Sequence, residues 1–234
     1  ISASLRLKFD KEPEMWVSHE TIYQSIYIQS RGGLKRELVS ALRTGRAIRK
    51  PRRQAGQRQE RIKDKVMIKD RPDEVNERVI LGHWEGDLIT GTQNKSAIGT
   101  LVERTTGYTV LLHLPDDHSA ISVRDAMIDA IAHQPTLACK SVTWDQGIEM
   151  ARHHEISQAT GVDIYWQRGT NENTNGLLRQ YFPKGTDLSG YHRDYLTFVA
   201  NELNDRPRKR LGWATPREAL NKLVSPPIDP QVLH

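Results

Sequence analysis

The sequence predicts a mixed α/β domain, its sheet flanked by helices, behind a small helical region and a basic linker. Three observations carry this reading. From Val79 onward, short runs of period two alternate with longer runs of helical period, in the order βββ, α, β, α, β, α, α. The three leading runs are joined by short turns, which makes them antiparallel neighbours. Charge is segregated as well. Residues 31 to 63 hold 12 Lys/Arg and 2 Asp/Glu, a net of +10, so the rest of a +5 chain carries −5.

Hydrophobic content of 37% and charged content of 27% fit a globular protein able to bury a core. No apolar run approaches a membrane span; the longest, around Val110–Leu114, is strand-sized. A single cysteine, Cys139, excludes an internal disulfide and fits a reducing cytoplasm. No clustered Cys/His pattern points to zinc. The chain opens on Ile1 without a secretory signal and reads as part of a longer protein. A basic segment on a mildly acidic body is the electrostatic footprint of a nucleic-acid binder.

Taken in order, Ile1, Leu5 and Phe9 make a short helical stripe that Pro13 ends. Ser18 is a good N-cap for a second helix, Ser18–Ile28, with Glu20 in its first turn. This resembles a partial helix-turn-helix over residues 1–43, whose second helix would offer His19, Glu20, Thr21 and Gln24 to base edges. Gly32–Arg43 has a further helical stripe. Residues 44–72 lack an apolar period and read as an extended basic linker, in which Arg46, Arg49, Lys50, Arg52 and Arg53, with Arg31 just before, are candidate phosphate contacts.

The domain proper spans residues 73–225, followed by a tail at 226–234. Its strands are Gly82–Thr90, Ala97–Val102, Tyr108–Leu114, Ser141–Trp144 and Val162–Tyr165, five in one sheet. Ser119–His133 is a helix with Ile121, Val123, Met127, Ile128 and Ile131 inward. Ile148–Thr160 is a helix closed by Gly161. A short helix opens at Glu172, capped by Thr170 or Asn171 and ended by Pro183 and Gly185, and another spans Tyr191–Leu203.

Three acids stand out against this frame. Alternation puts His83, Glu85 and Asp87 on one face of the first strand, where an unpaired carboxylate would be costly. Asp145 sits where the fourth strand ends, the place where open α/β sheets bind ligands. Glu172 begins a helix whose polar face continues through Asn175, Gly176 and Arg179. Each acid alone fits an ordinary cap or ion pair. Three together repel by several kcal/mol per pair at an effective dielectric of about 20, a cost that divalent cations relieve. Oxygen-only ligands select Mg²⁺ or Mn²⁺, and two such ions per site suit displacement at a phosphodiester. Arg168, Asn173, Asn175, Arg179 and Lys184 surround Glu172 and are candidate DNA contacts.

Five stretches carry a resemblance: Gly82-His-Trp-Glu-Gly-Asp87, Leu101-Val-Glu-Arg-Thr-Thr106, Thr143-Trp-Asp-Gln-Gly147, Trp166 through Gly185, and Asn204-Asp-Arg-Pro-Arg-Lys-Arg-Leu-Gly-Trp213. With Val17–Tyr23, they resemble the bacterial insertion-sequence transposases of the IS30 family over nearly the whole chain. The resemblance implies a DDE transposase with a ribonuclease H-like core similar to that of retroviral integrase. Asp87, Asp145 and Glu172 would be its catalytic and metal-holding acids. It further implies cleavage at terminal inverted repeats, joining of the 3′-hydroxyl to target DNA, and a homodimer or larger assembly on double-stranded DNA. A DNA-binding regulator without catalysis and a ribonuclease H-like nuclease are the alternatives. The family pattern has about seven more residues between Tyr165 and Trp166. A chain interrupted there, with Cα atoms well beyond the ~3.8 Å of bonded neighbours, is the expectation.

Overall fold

The computed structural model describes residues 1–28, 66–68, 71, 74–133, 139–145, 147–167 and 172–225. Its contacts divide the chain into two units, residues 1–58 and 59–234. In the first, α1 (Ser2–Lys8) and α2 (His19–Ile28) flank a single 3-10 turn at Pro13–Met15. The Thr21 N–H donates to Ser18 Oγ at 2.9 Å, so Ser18 caps α2 as expected. The apolar stripe of α1 buries no residue; Ile1 and Leu7 are exposed. The predicted helix at Gly32–Arg43 lies outside the described residues.

The second unit is built on a five-stranded sheet in the order β3-β2-β1-β4-β5. The strands are β1 (His83–Thr90), β2 (Ala97–Glu103), β3 (Thr109–Leu112), β4 (Ser141–Asp145) and β5 (Asp163–Gln167). β1, at the centre, pairs antiparallel with β2 and parallel with β4, and β4 pairs parallel with β5. The helices of this unit are α3 (Glu74–Glu77), α4 (Ala120–Ala132), α5 (His153–Thr160), α6 (Glu172–Leu178), α7 (Arg193–Asn204) and α8 (Pro216–Val224). The mixed five-stranded sheet with flanking helices is the fold the pattern predicted.

Period-two alternation sends the strand side chains into two cores. One gathers Trp84, Leu101, Leu112, Val142, Trp144 and Trp166 against Val123 and Met127 of α4 and Ile156 of α5. The other gathers Ile89 and Ile98 against Leu178 and Phe182 and against Leu196, Val199 and Leu203 of α7. Caps hold the helices in place. Ser119 accepts from Ser122 N–H to start α4, and left-handed Gly161 (φ 72°) closes α5.

Several expectations are corrected. Ile121 is 49% exposed; Val123 and Met127 are the residues of α4 that bury. The stretch 148–160 is a 3-10 turn, Ile148–Met150, followed by α5, not one helix. α6 ends at Leu178, ahead of Pro183. Neither α3 nor α8 was predicted. The chain also runs unbroken through Tyr165 and Trp166. Both belong to β5, paired with Thr143 and Trp144. The shorter connection is therefore a property of this chain, and Trp166, fully buried, has become part of the core.

Candidate active site

The acids are placed by strand register. The last β1–β4 pair is Gly86↔Trp144, so the next step along both strands sets Asp87 beside Asp145. Neighbouring strands lie ~4.8 Å apart, within mutual reach of two carboxyls. β4 stops at Asp145 while β1 continues to Thr90 along β2, which opens a crevice beside Asp87. On the far side, Gln167 of β5 pairs with Asp145. Asp87, Asp145 and Gln167 thus stand abreast on the face that α6 and α7 cover.

The close approach depends on Gly86. A Cβ there would fall 1.9 Å from Cε3 of Trp144, whose ring lies across the glycine. Gly86→Ala must displace either the buried indole or β1. We expect a loss of about 1–3 kcal/mol in denaturant unfolding, accompanied by reduced activity because Asp87 is the adjacent residue.

α6 meets the acids through Asn175, whose Nδ2 donates to Asp87 Oδ2 at 2.6 Å. The Leu88 N–H donates to the other oxygen at 2.8 Å. Arg179 ties the end of the same helix down: its Nη2 donates to Thr90 O at 3.1 Å and its Nη1 to Phe182 O at 3.4 Å. Arg179 thus braces α6 against β1. Glu172 opens α6 one turn before Asn175, and residues three apart share a helix face. The side chains of Glu172 and Asn173 lie outside the described residues, as do Arg31, Arg46, Arg49, Lys50, Arg52, Arg53 and Arg168 in full. Lys184 is exposed. In the first unit His19, Glu20, Thr21 and Gln24 are exposed on α2, with Gln24 Nε2 donating to Glu20 Oε1 at 3.3 Å.

Burial holds the Asp87 carboxyl above the ordinary carboxylate range. The hydrogen bonds from Leu88 and Asn175 oppose this, and the charges of Asp145 and Glu149 reinforce it. Glu149, which sequence reading passed over, folds back toward the end of β4. Its Oε1 accepts from Trp144 Nε1 at 3.3 Å, and its carboxylate fills the space where a Gly147 side chain would be. The Asp-x-Gly-x-Glu spacing was the available signal. A crevice of clustered, partly buried carboxylates favours a divalent cation, and the donor chemistry fits one. The ligands on offer are oxygens, and two buried acceptors, Asn175 Oδ1 and Gln167 Oε1, receive no hydrogen bond from the described residues. Among the described residues no three His, Cys, Asp or Glu side chains gather as a metal site; Glu172 is not among the side chains so described.

A second set of residues missed from sequence lies on the same face, two residues back along β1. Arg104 and Arg78 both reach Glu85 Oε1, Arg78 at 3.8 Å. Arg71, almost fully buried, donates from Nη1 to Thr143 Oγ1 at 2.8 Å. Only tertiary folding brings these arginines together.

The integrase core domain family model matches residues 80–171, a span that contains Asp87 and Asp145 and stops one residue short of Glu172. The transposase for insertion sequence element IS1086 of Cupriavidus metallidurans is 48% identical over 236 aligned positions, covering 98% of this chain and 69% of the relative. The transposase InsI for insertion sequence element IS30C of Escherichia coli is 43% identical, covering 96% of this chain and 61% of the relative. The transposase for insertion sequence element IS4351 of Bacteroides fragilis is 36% identical, covering 89% and 65%. The chain thus spans less than two thirds of the second and third of these relatives. Identity of this extent over almost every residue, with an integrase core framing two abreast acids, shows the family: the chain belongs to the IS30-family transposases of bacterial insertion sequences.

Proposed function

We propose that this protein cuts DNA at the terminal inverted repeats of its insertion sequence and joins the freed 3′-hydroxyl to target DNA. The single observation that carries the reading is the pair Asp87 and Asp145 side by side where β4 ends, with α6 fastened to Asp87 through Asn175. That fastening supports a role for Glu172, one helical turn before Asn175, beside the same acids. Asp87, Asp145 and Glu172 are the residues that would hold Mg²⁺ or Mn²⁺, two ions per site. When bound, such ions make a hydroxyl or water oxygen nucleophilic and stabilise the leaving oxygen of a phosphodiester.

The chain's own side chains supply positioning. Asn175 and the Leu88 N–H fix the two oxygens of Asp87 before substrate arrives, which lowers the reorganisation needed at the reacting bond. Arg179 fixes α6 against the end of β1. Gln167 and Asn175 keep buried oxygens turned toward the crevice side of the sheet, available to ion-bound water or to DNA. On this reading the partners are double-stranded terminal repeats and target DNA, with a homodimer or larger assembly bringing two ends together.

The test is a cleavage and strand-transfer assay on candidate terminal repeats with Mg²⁺. Nicked ends and joined products are expected with wild-type protein, and neither with Glu172→Gln. Products that are cut but never joined would favour a nuclease, and bound but uncut DNA would favour a regulator.

A further inference from the structure

The last of the five stretches that carry the resemblance, residues 204–213, takes no part in the chemistry above. Most of its polar side chains serve the fold. Asn204 brackets the edge strand, with Oδ1 accepting from Thr109 N–H at 2.8 Å and Nδ2 donating to Thr109 O at 2.9 Å. Asp205 pairs with Arg217 at 2.6 Å, and Arg206 donates to Gln180 Oε1 at 2.8 Å. Arg210 is different. Its Nη1 donates to the Arg104 and Thr105 carbonyls at 3.3 and 2.9 Å, and no carboxylate pairs with it among the described residues. Its Nη2 lies 2.5 Å from where a Gly107 side chain would begin, so the glycine makes its seat. Lys209, beside it, is exposed.

Arg210 is seated against the backbone of Arg104, whose guanidinium shares Glu85 Oε1 with that of Arg78. Arg78 is half exposed and holds a left-handed φ of 56°, a backbone conformation that non-glycine residues seldom adopt. Trp213, on the same loop as Arg210, is also left-handed at φ 74° and exposed. The other acid here, Glu103, is consumed by the fold. Its Oε2 accepts from Thr106 N–H at 2.6 Å and Thr106 Oγ1 at 2.7 Å. Arg78, Arg104 and Arg210 thus gather about half-buried Glu85 and buried Glu103, and exposed Lys209 adjoins Arg210 in the chain. Burial lowers the proton affinity of Arg104 and Arg210, and the neighbouring Arg78 charge lowers both further.

We propose that Arg78, Lys209 and Arg210, backed by buried Arg104, form a second DNA contact that binds a backbone phosphodiester of a strand entering the acid crevice. This rests on the DNA-processing reading of the acids. Glu85 and Asp87 are two residues apart on one face of β1, about 6.6 Å along the strand, so the contact lies alongside the reacting position. The phosphate supplies the negative charge the cluster lacks, and fixed guanidiniums match its oxygens.

The salt dependence of duplex binding tests it, with Arg78→Asn plus Lys209→Gln as the variant. Asparagine tolerates the left-handed backbone, and both positions are exposed, so the thermal midpoint should hold. Each phosphate no longer neutralised removes about 0.9 from the log–log slope, so the double variant should bind with a slope shallower by about 0.9. Lys209→Gln alone, should the pair fold poorly, is expected to lose about half of that. Wild-type slope in a folded variant overturns the contact while leaving the acid site intact. Wild-type protein that binds no DNA at all would instead sink the functional reading beneath it. Stabilisation of wild-type protein by inorganic phosphate, with the DNA slope unchanged in the variant, would assign the cluster to a free phosphate and overturn the DNA assignment.

Discussion

Asp145→Asn is expected to reduce strand cleavage and joining by at least about 10³-fold, some 4 kcal/mol of transition-state stabilisation, while leaving DNA affinity within a few-fold. The amide keeps the shape of the side chain at the end of β4 but removes one of two charges facing the crevice. Asp87→Asn should be equally inactive and, at neutral pH, more stable than wild type. The sign follows from the raised proton affinity of the Asp87 carboxyl. Between its unfolded and folded pKa values the native state holds the proton more tightly than the unfolded one. Stability therefore falls as pH rises through that window and stays lower above it. A neutral amide escapes this cost, and Asn175 can turn its unpartnered Oδ1 to receive the new N–H. Urea unfolding at neutral pH measures the gain, and at a pH below the unfolded carboxylate pKa the difference should vanish. Such a gain at a catalytic acid is the usual mark of a site held in strain for function.

The second large effect is expected at Trp166. Its indole is fully buried in the first core, edge-on to His153 with centroids 5.1 Å apart. Its backbone N–H donates to Val66 O at 3.0 Å, drawing the chain just ahead of the domain along the edge of β5. Trp166→Ala should cost about 3–5 kcal/mol, a large share of the 5–15 kcal/mol that holds a typical domain together. Trp166→Phe should cost distinctly less. Because Gln167 follows directly and pairs with Asp145, activity should fall in the alanine variant even where it remains folded. Chemical unfolding followed by a cleavage assay at low denaturant separates the two losses.

Much of this was legible in the residues. Period-two alternation in His83–Thr90 put Asp87 and Glu85 on one face and Trp84 and Gly86 on the other, and the two cores divide along that line. Local cap chemistry located α2 and α4 through Ser18 and Ser119. What stayed hidden was non-local or weakly patterned. α8 carries a capping box, Thr215 with Glu218, but buries only Pro216 and Leu220, too few apolar positions to show a period. Arg179 follows Glu172 by two helical turns in sequence, yet its long side chain finds carbonyls across the fold, a choice that sequence does not express. Arg78, Arg104 and Arg210 are far apart along the chain and meet only through the β2–β3 turn. The expected interruption before Trp166 failed because a family length pattern was carried to a chain that has a shorter connection. The strand register absorbs the difference.

The central claim is that Asp87, Asp145 and Glu172 converge to hold divalent cations at the reacting phosphodiester. Anomalous diffraction from a crystal of the protein with Mn²⁺ tests it most directly. Manganese peaks bounded by carboxylate oxygens of all three residues, absent in Glu172→Gln crystals, are the expected result. Manganese that binds elsewhere, or an Asp87–Asp145 crevice that Glu172 does not reach, would contradict it.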